Sequence, residues 1–227
     1  AGEEEEYTNR RRDQTDHRVV EMLASVFALQ NLNHRDISET KGVSFVNKLK
    51  ISEIHLMGHS FGGATALTAA FRRPELAFSV IAHEPVSDWM PDDARRALFP
   101  VDIMANCPFH YEGGTGGLPL DAKQTQATIK DIDIMFLFSS EWYYKNWGRC
   151  DIIEWMHDHG KLCQACTTSF DMIWNAHHNE FSDSCMMTPV WLARAVGLTG
   201  KRNPIETSEE ISQRTLKFLE QVRLRKS

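Results

Sequence analysis

The sequence has 227 residues, with 42% hydrophobic and 25% charged residues, which is the ordinary composition of a globular protein with one sizeable core. We therefore predict a single domain over residues 1–227. No apolar run approaches the roughly 18 residues of a membrane-spanning helix, and the net charge of −6 argues against a nucleic-acid partner, because surfaces that bind nucleic acid are basic.

The first half of the chain predicts two helices and two strands. Hydrophobic residues recur at helical spacing over 13–31, after a charge-dense lead-in at 3–12, and predict an amphipathic helix. The apolar run 54–57 predicts a buried strand. Small residues follow it and predict a helix that lies close to the sheet and ends before Pro74. A second buried strand is predicted at 78–82.

The second half predicts two more strands, at 134–138 and 167–174, with an aromatic-rich helix over 142–159 between them. A final helix is predicted to open at Thr207, because Thr207 and Glu210 have the spacing of a capping box. Strands that alternate with helices indicate an α/β fold, with a mostly parallel sheet flanked by helices on both faces.

One short motif carries chemistry. The run Gly58-His59-Ser60-Phe61-Gly62 fits the G-x-S-x-G nucleophile elbow, in which a strand turns sharply into a helix and presents a serine at the apex. The predicted strand before it and helix after it are the context that an elbow requires. We expect a side chain at position 58 or 62 to crowd the bent backbone. The motif predicts Ser60 as a catalytic nucleophile.

The elbow and two further segments resemble the platelet-activating factor acetylhydrolases, which are serine esterases of the α/β-hydrolase fold. Residues 58–65 resemble the nucleophile segment of that family, and the acidic-then-basic stretch 3–12 resembles its approach to the elbow. Residues 178–183 resemble its catalytic-histidine segment, which has His, two polar residues, Phe, a small residue and Asp. The likeness runs from about residue 3 to residue 222, with an apparent insertion around 100–125. It implies an α/β-hydrolase fold.

The histidine segment supplies a candidate general base. A serine hydroxyl needs a neighbouring base to take its proton, and in this fold the nucleophile, the acid and the histidine follow in that chain order. His178 lies just beyond the last predicted strand and matches the family pattern. Its neighbour His177 is the alternative.

Two residues compete for the role of the acid, after the strand at 78–82. The resemblance implies an Asp at the position of Glu84, so this sequence departs from the family pattern there. A glutamate can still orient the histidine, although its extra methylene shifts the geometry. Asp88 is the alternative, in a segment that also resembles the family. The position of Glu84 at the strand end favours Glu84, and the choice between them stays open.

The oxyanion hole needs backbone amides that face the developing charge. Phe61, directly after the nucleophile, is expected to supply one, and in α/β-hydrolases the other comes from a loop before the elbow. The 59 residues before Ser60 are mostly predicted helix and polar loop. We therefore expect a partial α/β-hydrolase fold in an N-terminally truncated chain, without the front half of the sheet, and little activity from this chain alone.

We predict no metal and no cofactor, because the resemblance implies none. His157, His159, Cys163 and Cys166 have spacings that zinc sites use, but the resemblance places no metal there and structural roles are favoured. The five cysteines form an odd, sparse set and predict free thiols in a reducing compartment. This slightly favours a cytoplasmic over a secreted protein.

The resemblance implies hydrolysis of the short sn-2 acyl (acetyl) ester of platelet-activating factor-like glycerophospholipids, through an acyl-serine intermediate. The implied partner is the phospholipid substrate, at a lipid or lipoprotein interface. Two alternatives stay open, a general carboxylesterase or lipase and a non-catalytic truncated chain. Five aromatic residues are candidates to line an acyl or interfacial surface, although core packing is the favoured explanation: Trp142, Tyr143, Tyr144, Trp147 and Trp155.

Overall fold

A computed structural model of the protein describes residues 2–35, 44–109, 132–162, 166–182 and 185–227. Within these residues, four strands form one sheet in the order β1-β2-β3-β4, and each neighbouring pair is parallel. This agrees with the predicted α/β architecture. The strands are β1 His55–His59, β2 Ser79–His83, β3 Asp133–Ser139 and β4 Thr168–Ile173.

Helices connect and flank the strands. The α-helices are α1 Gly2–His34, α2 Phe61–Arg72, α3 Asp92–Leu98, α4 Val101–Met104, α5 Ser140–Tyr144, α6 Cys150–Asp158, α7 Val190–Ala195 and α8 Pro204–Lys226. Short 3-10 helices lie at Pro74–Leu76, Ser87–Trp89 and His178–Phe181. No helix in the described part of the chain is both long enough and apolar enough to cross a membrane.

Three helix predictions need correction. The charge-dense lead-in is not separate from the first helix, because α1 begins at Gly2. The aromatic-rich stretch forms α5 and α6 rather than one helix, because Asn146, Gly148 and Arg149 take positive φ values that an α-helix cannot contain. The last helix opens at Pro204, where the Asn203 side chain accepts a hydrogen bond from the Ile205 N–H at 3.0 Å.

The sheet has an apolar layer on each face. Successive side chains of a strand point to opposite faces, and Val80 and Phe136 therefore join one core cluster while Ile81 and Met135 join another. The first cluster contains residues of α1, α2 and α6, and the second contains Phe218 and other residues of α8. Because β2 and β3 are buried along their whole length, the polar chemistry is confined to the strand ends.

The cysteines differ in part from the prediction. Cys107, Cys150 and Cys185 are free thiols, but Cys166 is disulfide-bonded, so the prediction of free thiols is wrong for Cys166. Cys163 lies outside the described residues. A sulfur held in a disulfide is not a thiolate ligand for zinc. The nearby His159 donates instead through Nδ1 to a main-chain carbonyl, at 2.8 Å.

Candidate active site

Ser60 lies on a sharp turn between β1 and α2. Its φ of 56° and ψ of −117° are strained for a residue with a side chain. The turn is fixed on both sides, because the Ser60 N–H donates to the carbonyl of His83 at 2.8 Å and the Ser60 carbonyl accepts from the Ala64 N–H at 3.2 Å. This is the backbone geometry that the G-x-S-x-G pattern predicts.

The expected need for glycine around the turn is confirmed at position 58 and wrong at position 62. A Cβ on Gly58 would lie 2.1 Å from the carbonyl oxygen of Gly62, so position 58 accepts no side chain. A Cβ on Gly63 would lie 3.1 Å from Cα of Pro85. A Cβ on Gly62 meets no atom within 4 Å, so the expected crowding at position 62 is wrong. The close approach is between β1 and the first turn of α2.

Glu84 follows directly after β2 and is fully buried. Its backbone has a positive φ of 47°, and its N–H donates to the carbonyl of Leu137 at 3.0 Å. The side-chain atom Oε1 accepts a hydrogen bond from the N–H of Ser139 at 2.7 Å. These contacts hold the carboxylate between the carboxyl ends of β2 and β3, with Oε2 left for other partners.

His178 provides one of those partners, since its Nδ1 is hydrogen-bonded to Oε2 of Glu84. The main-chain N–H of His178 donates to Oε2 of Glu141 at 3.1 Å, and the imidazole stacks on the ring of Trp142 with centroids 4.4 Å apart. A carboxylate only accepts hydrogen bonds, so the contact with Glu84 assigns the ring proton of His178 to Nδ1. Nε2 of His178 is then free to accept a proton.

The electrostatics of this pair favour an ionised carboxylate. Burial raises the pKa of Glu84, but hydrogen bonds from His178, His59 and the Ser139 amide outweigh burial and lower that pKa to about 2. Glu84 is therefore an anion throughout the neutral pH range. A buried anion of this kind stabilises a positive charge on the imidazole that it contacts.

The alternatives for acid and base lie elsewhere. Asp88 is in the 3-10 helix after β2, with a side chain 43% exposed, and its carboxylate lies 3.8 Å from Nε of Arg149. The His177 N–H donates to Oε2 of Glu180 at 2.6 Å, and its ring Nδ1 lies 3.9 Å from the carboxylate of Glu141. The structure thus brings His178 together with Glu84, and not His177 or Asp88.

Phe61, the predicted oxyanion donor, is the first residue of α2. The N–H groups of the first helical turn have no acceptor within the helix, so the Phe61 amide is available to a ligand. The ring of Phe61 packs edge-on against Trp89, with the guanidinium of Arg18 5.0 Å from its centre. These contacts fix the start of the helix.

Two further residues lie against the pair of Glu84 and His178. His59, to which the sequence assigns no catalytic role, has its Nε2 3.2 Å from Oε2 of Glu84. Trp142 is buried under the ring of His178, which confirms core packing as the favoured explanation for this residue. The signal for His59 is its place at the end of β1, because it pairs in register with His83, the residue before Glu84.

Fold and site together define the class of this protein: an α/β protein with a serine on a strand-to-helix turn and a histidine–carboxylate pair at the same edge of the sheet. Residues 1–95 match the family model of platelet-activating factor acetylhydrolase, isoform II. Over this part of the chain, the match confirms the resemblance drawn from the sequence. The match covers Ser60, Glu84 and Asp88, while His178 lies beyond it. No curated protein matches the chain.

Proposed function

We propose that this chain is a serine esterase of the α/β-hydrolase fold, which hydrolyses the short sn-2 acyl ester of platelet-activating factor-like glycerophospholipids. The observation that carries the proposal is the hydrogen bond between His178 and the buried Glu84, at the strand ends beside the strained turn of Ser60. The match of residues 1–95 to the acetylhydrolase family model supports the substrate class.

In the proposed mechanism, Glu84 holds His178 in the tautomer with the proton on Nδ1. Nε2 then takes the proton of Ser60 as Oγ attacks the acyl carbonyl, and Glu84 stabilises the imidazolium that forms. The Phe61 N–H donates to the oxyanion of the tetrahedral intermediate. His178 returns its proton to the sn-2 oxygen, which leaves as the lysophospholipid hydroxyl. Water, deprotonated by His178, then hydrolyses the acyl-serine.

Glu84 can do the work of the aspartate that the family resemblance implies at this position. The additional methylene is accommodated because Oε1 is anchored on the amide of Ser139, so that Oε2 reaches the imidazole. The positive φ of Glu84 belongs to the same arrangement, in which its N–H bonds to the neighbouring strand. We propose Glu84 as the acid and Asp88 as a residue outside the reaction.

An exposed apolar segment supports a substrate presented in a lipid surface. It follows the His178 segment along the chain, and its most exposed members are Met187 at 85% and Trp191 at 72%. Large apolar side chains that are exposed along one segment are typical of a surface that binds lipid or protein. We propose that it faces the lipid or lipoprotein surface that holds the substrate. The exposed residues are Met186, Met187, Val190, Trp191, Leu192 and Val196.

The substrate proposal is tested with a series of phosphatidylcholines that differ only in the sn-2 chain, from acetyl to palmitoyl. We expect kcat/KM to fall steadily as the chain lengthens, and Ser60→Ala to abolish the activity on every member. Equal rates on acetyl and palmitoyl chains would favour a general lipase. Absence of hydrolysis, together with absence of labelling by a fluorophosphonate, would favour a non-catalytic protein.

A further inference from the structure

A second histidine shares the carboxylate of Glu84. Nε2 of His59 lies 3.2 Å from Oε2 of Glu84 and 3.2 Å from Nδ1 of His178. The proposed hydrolysis needs only one histidine–carboxylate pair, so it gives His59 no task. The three nitrogen and oxygen atoms lie within 4.8 Å of one another, the one such metal-capable group among the described residues.

The separations of these atoms fit a tetrahedral metal ion. Zinc binds histidine nitrogen and carboxylate oxygen at about 2.0–2.2 Å, which places two ligand atoms of a tetrahedron about 3.3 Å apart. Both distances from His59 are close to this value. The contact between His178 and Glu84 is shorter, because a proton bridges the two atoms, and it lengthens when a metal replaces that proton. Two histidines and one carboxylate also form a common zinc ligand set with an open fourth position.

The three side chains are held in place by packing. Glu84 is fully buried, the ring of His178 stacks on Trp142, and the ring of His59 stacks on Phe181 with centroids 5.6 Å apart. Support of this kind around metal ligands maintains their orientation. The side chains of His59 and His178 keep 24% and 22% of their surface exposed, so the site borders solvent.

We propose that His59, Glu84 and His178 form a binding site for Zn²⁺, and that bound Zn²⁺ inhibits the esterase. The ion takes Nε2 of His59, Oε2 of Glu84 and Nδ1 of His178. The proton on Nδ1 of His178 passes through solvent to Nε2, so that the ring stays neutral. Nε2 then carries a proton and cannot accept that of Ser60. The inhibition rests on the proposed function, whereas the binding of the ion does not.

Binding is tested with Co²⁺, which reports tetrahedral coordination through its visible absorption bands. We expect the purified protein to show these bands, and Zn²⁺ to displace the cobalt. His59→Phe and His59→Gln should each weaken binding at least about 100-fold, since loss of an outer-shell partner alone costs about 10–100-fold. His17→Ala is the matched control for exposed histidines and should bind like the wild type.

Equal Co²⁺ affinity in the wild type and a folded His59 variant would overturn the site. If circular dichroism shows both His59 variants to be unfolded, the wild-type spectrum decides, and an octahedral spectrum or none contradicts the proposal. Inhibition is tested by the rate at which a fluorophosphonate labels Ser60, which saturating Zn²⁺ should lower at least about tenfold and a chelator should restore. An unchanged rate with Zn²⁺ bound would overturn the inhibition. A wild type that is never labelled would contradict the proposed function, while the cobalt spectrum would still decide the binding.

Discussion

Two fully buried carboxylates lie at opposite ends of the sheet, and their partners differ in kind. Asp133 is the first residue of β3, at the amino ends of the strands, and Glu84 follows β2 at the carboxyl ends. Asp133 lies 2.7 Å from Arg225 and 3.0 Å from Lys226, both in α8. Glu84 meets two histidines instead.

The difference between these partners separates a structural ion pair from a candidate catalytic one. Arginine and lysine stay charged at neutral pH, so the Asp133 cluster fixes the end of α8 on the sheet and moves no proton. Histidine gains and loses a proton in this range, so a carboxylate that contacts it can assist proton transfer. Burial alone therefore does not distinguish a candidate catalytic carboxylate from a structural one, and the residue type of its partner has to be considered as well.

The largest effect is expected at the serine and the histidine. Ser60→Ala and His178→Ala should each lower kcat about 10⁴–10⁶-fold, because the nucleophile and its base act as a unit. Steady-state hydrolysis of an acetyl ester measures this, and thermal unfolding should be nearly unchanged. The double variant should be scarcely slower than either single one. More than a tenth of wild-type turnover in either variant would contradict the assignment.

Exchange of each carboxylate for its amide compares the two ends of the sheet. Glu84→Gln should lower kcat about 10⁴-fold, because an amide neither holds the Nδ1 tautomer nor stabilises the imidazolium. Asp88→Asn and Asp133→Asn should each change kcat less than about tenfold at a temperature where the variants are folded. If Asp88→Asn were the most harmful of the three, Asp88 and not Glu84 would be the acid.

The pH dependence of stability should also separate the two ends. Burial lowers the pKa of His83, beside Glu84, to about 4. At a pH between this value and the usual histidine pKa near 6.5, His83 binds a proton in the unfolded chain but not in the folded chain. The free energy of unfolding therefore falls as the pH falls through this range. Urea unfolding should give about 2 kcal/mol less stability at about pH 5 than at about pH 7 from this residue.

His83→Gln is the variant that should remove this part of the pH dependence, and Asp133→Asn should retain it. Burial raises the pKa of Asp133, but its bonds to Arg225, the Thr167 amide and Lys226 hold that pKa below the usual range. The contribution of Asp133 to the free energy of unfolding is therefore present at neutral pH and is lost only as the pH falls below the normal carboxyl range. An unaltered slope in His83→Gln would show that another group titrates there.

The smallest of these effects concerns Asp133 itself. Asp133→Asn should lower the free energy of unfolding at neutral pH by about 1–3 kcal/mol, because the change leaves hydrogen-bonding groups of a buried site poorly matched. Urea unfolding measures this. Asp171→Asn is a matched control, since Asp171 pairs with Arg214 at a partly exposed site and its side chain is 39% exposed. Equal losses of free energy of unfolding in both variants would show that the buried carboxylate of Asp133 stabilises the fold no more than a partly exposed one.

The sheet could be predicted closely from the sequence. Strands predicted at 54–57, 78–82 and 134–138 are found at His55–His59, Ser79–His83 and Asp133–Ser139. β2 and β3 are short apolar runs because they are buried on both faces. The predicted burial is wrong for β1, which is only partly buried, with Met57 56% exposed. The elbow could be predicted because its backbone needs glycine at position 58. Glu84 could be preferred over Asp88 because the residue directly after a parallel strand lies at the carboxyl edge of the sheet.

Other features depend on contacts that the sequence does not display. The contact of His59 with Glu84 needs the register of β1 against β2, and the stacking of Trp142 on His178 needs the packing of α5. The first turns of α1 have charged rather than apolar periodicity, with pairs such as Arg10 and Glu6 at 3.1 Å. A search for an apolar stripe therefore begins the helix too late.

Mapping of a fluorophosphonate adduct by mass spectrometry tests most directly whether His178 and Glu84 activate Ser60. We predict a single adduct, on the peptide that contains Ser60, formed at similar rates in the wild type and in Asp133→Asn and at least about 10³-fold more slowly in His178→Ala and Glu84→Gln. An adduct on another residue, or equally rapid labelling of Ser60 in His178→Ala, would contradict the account.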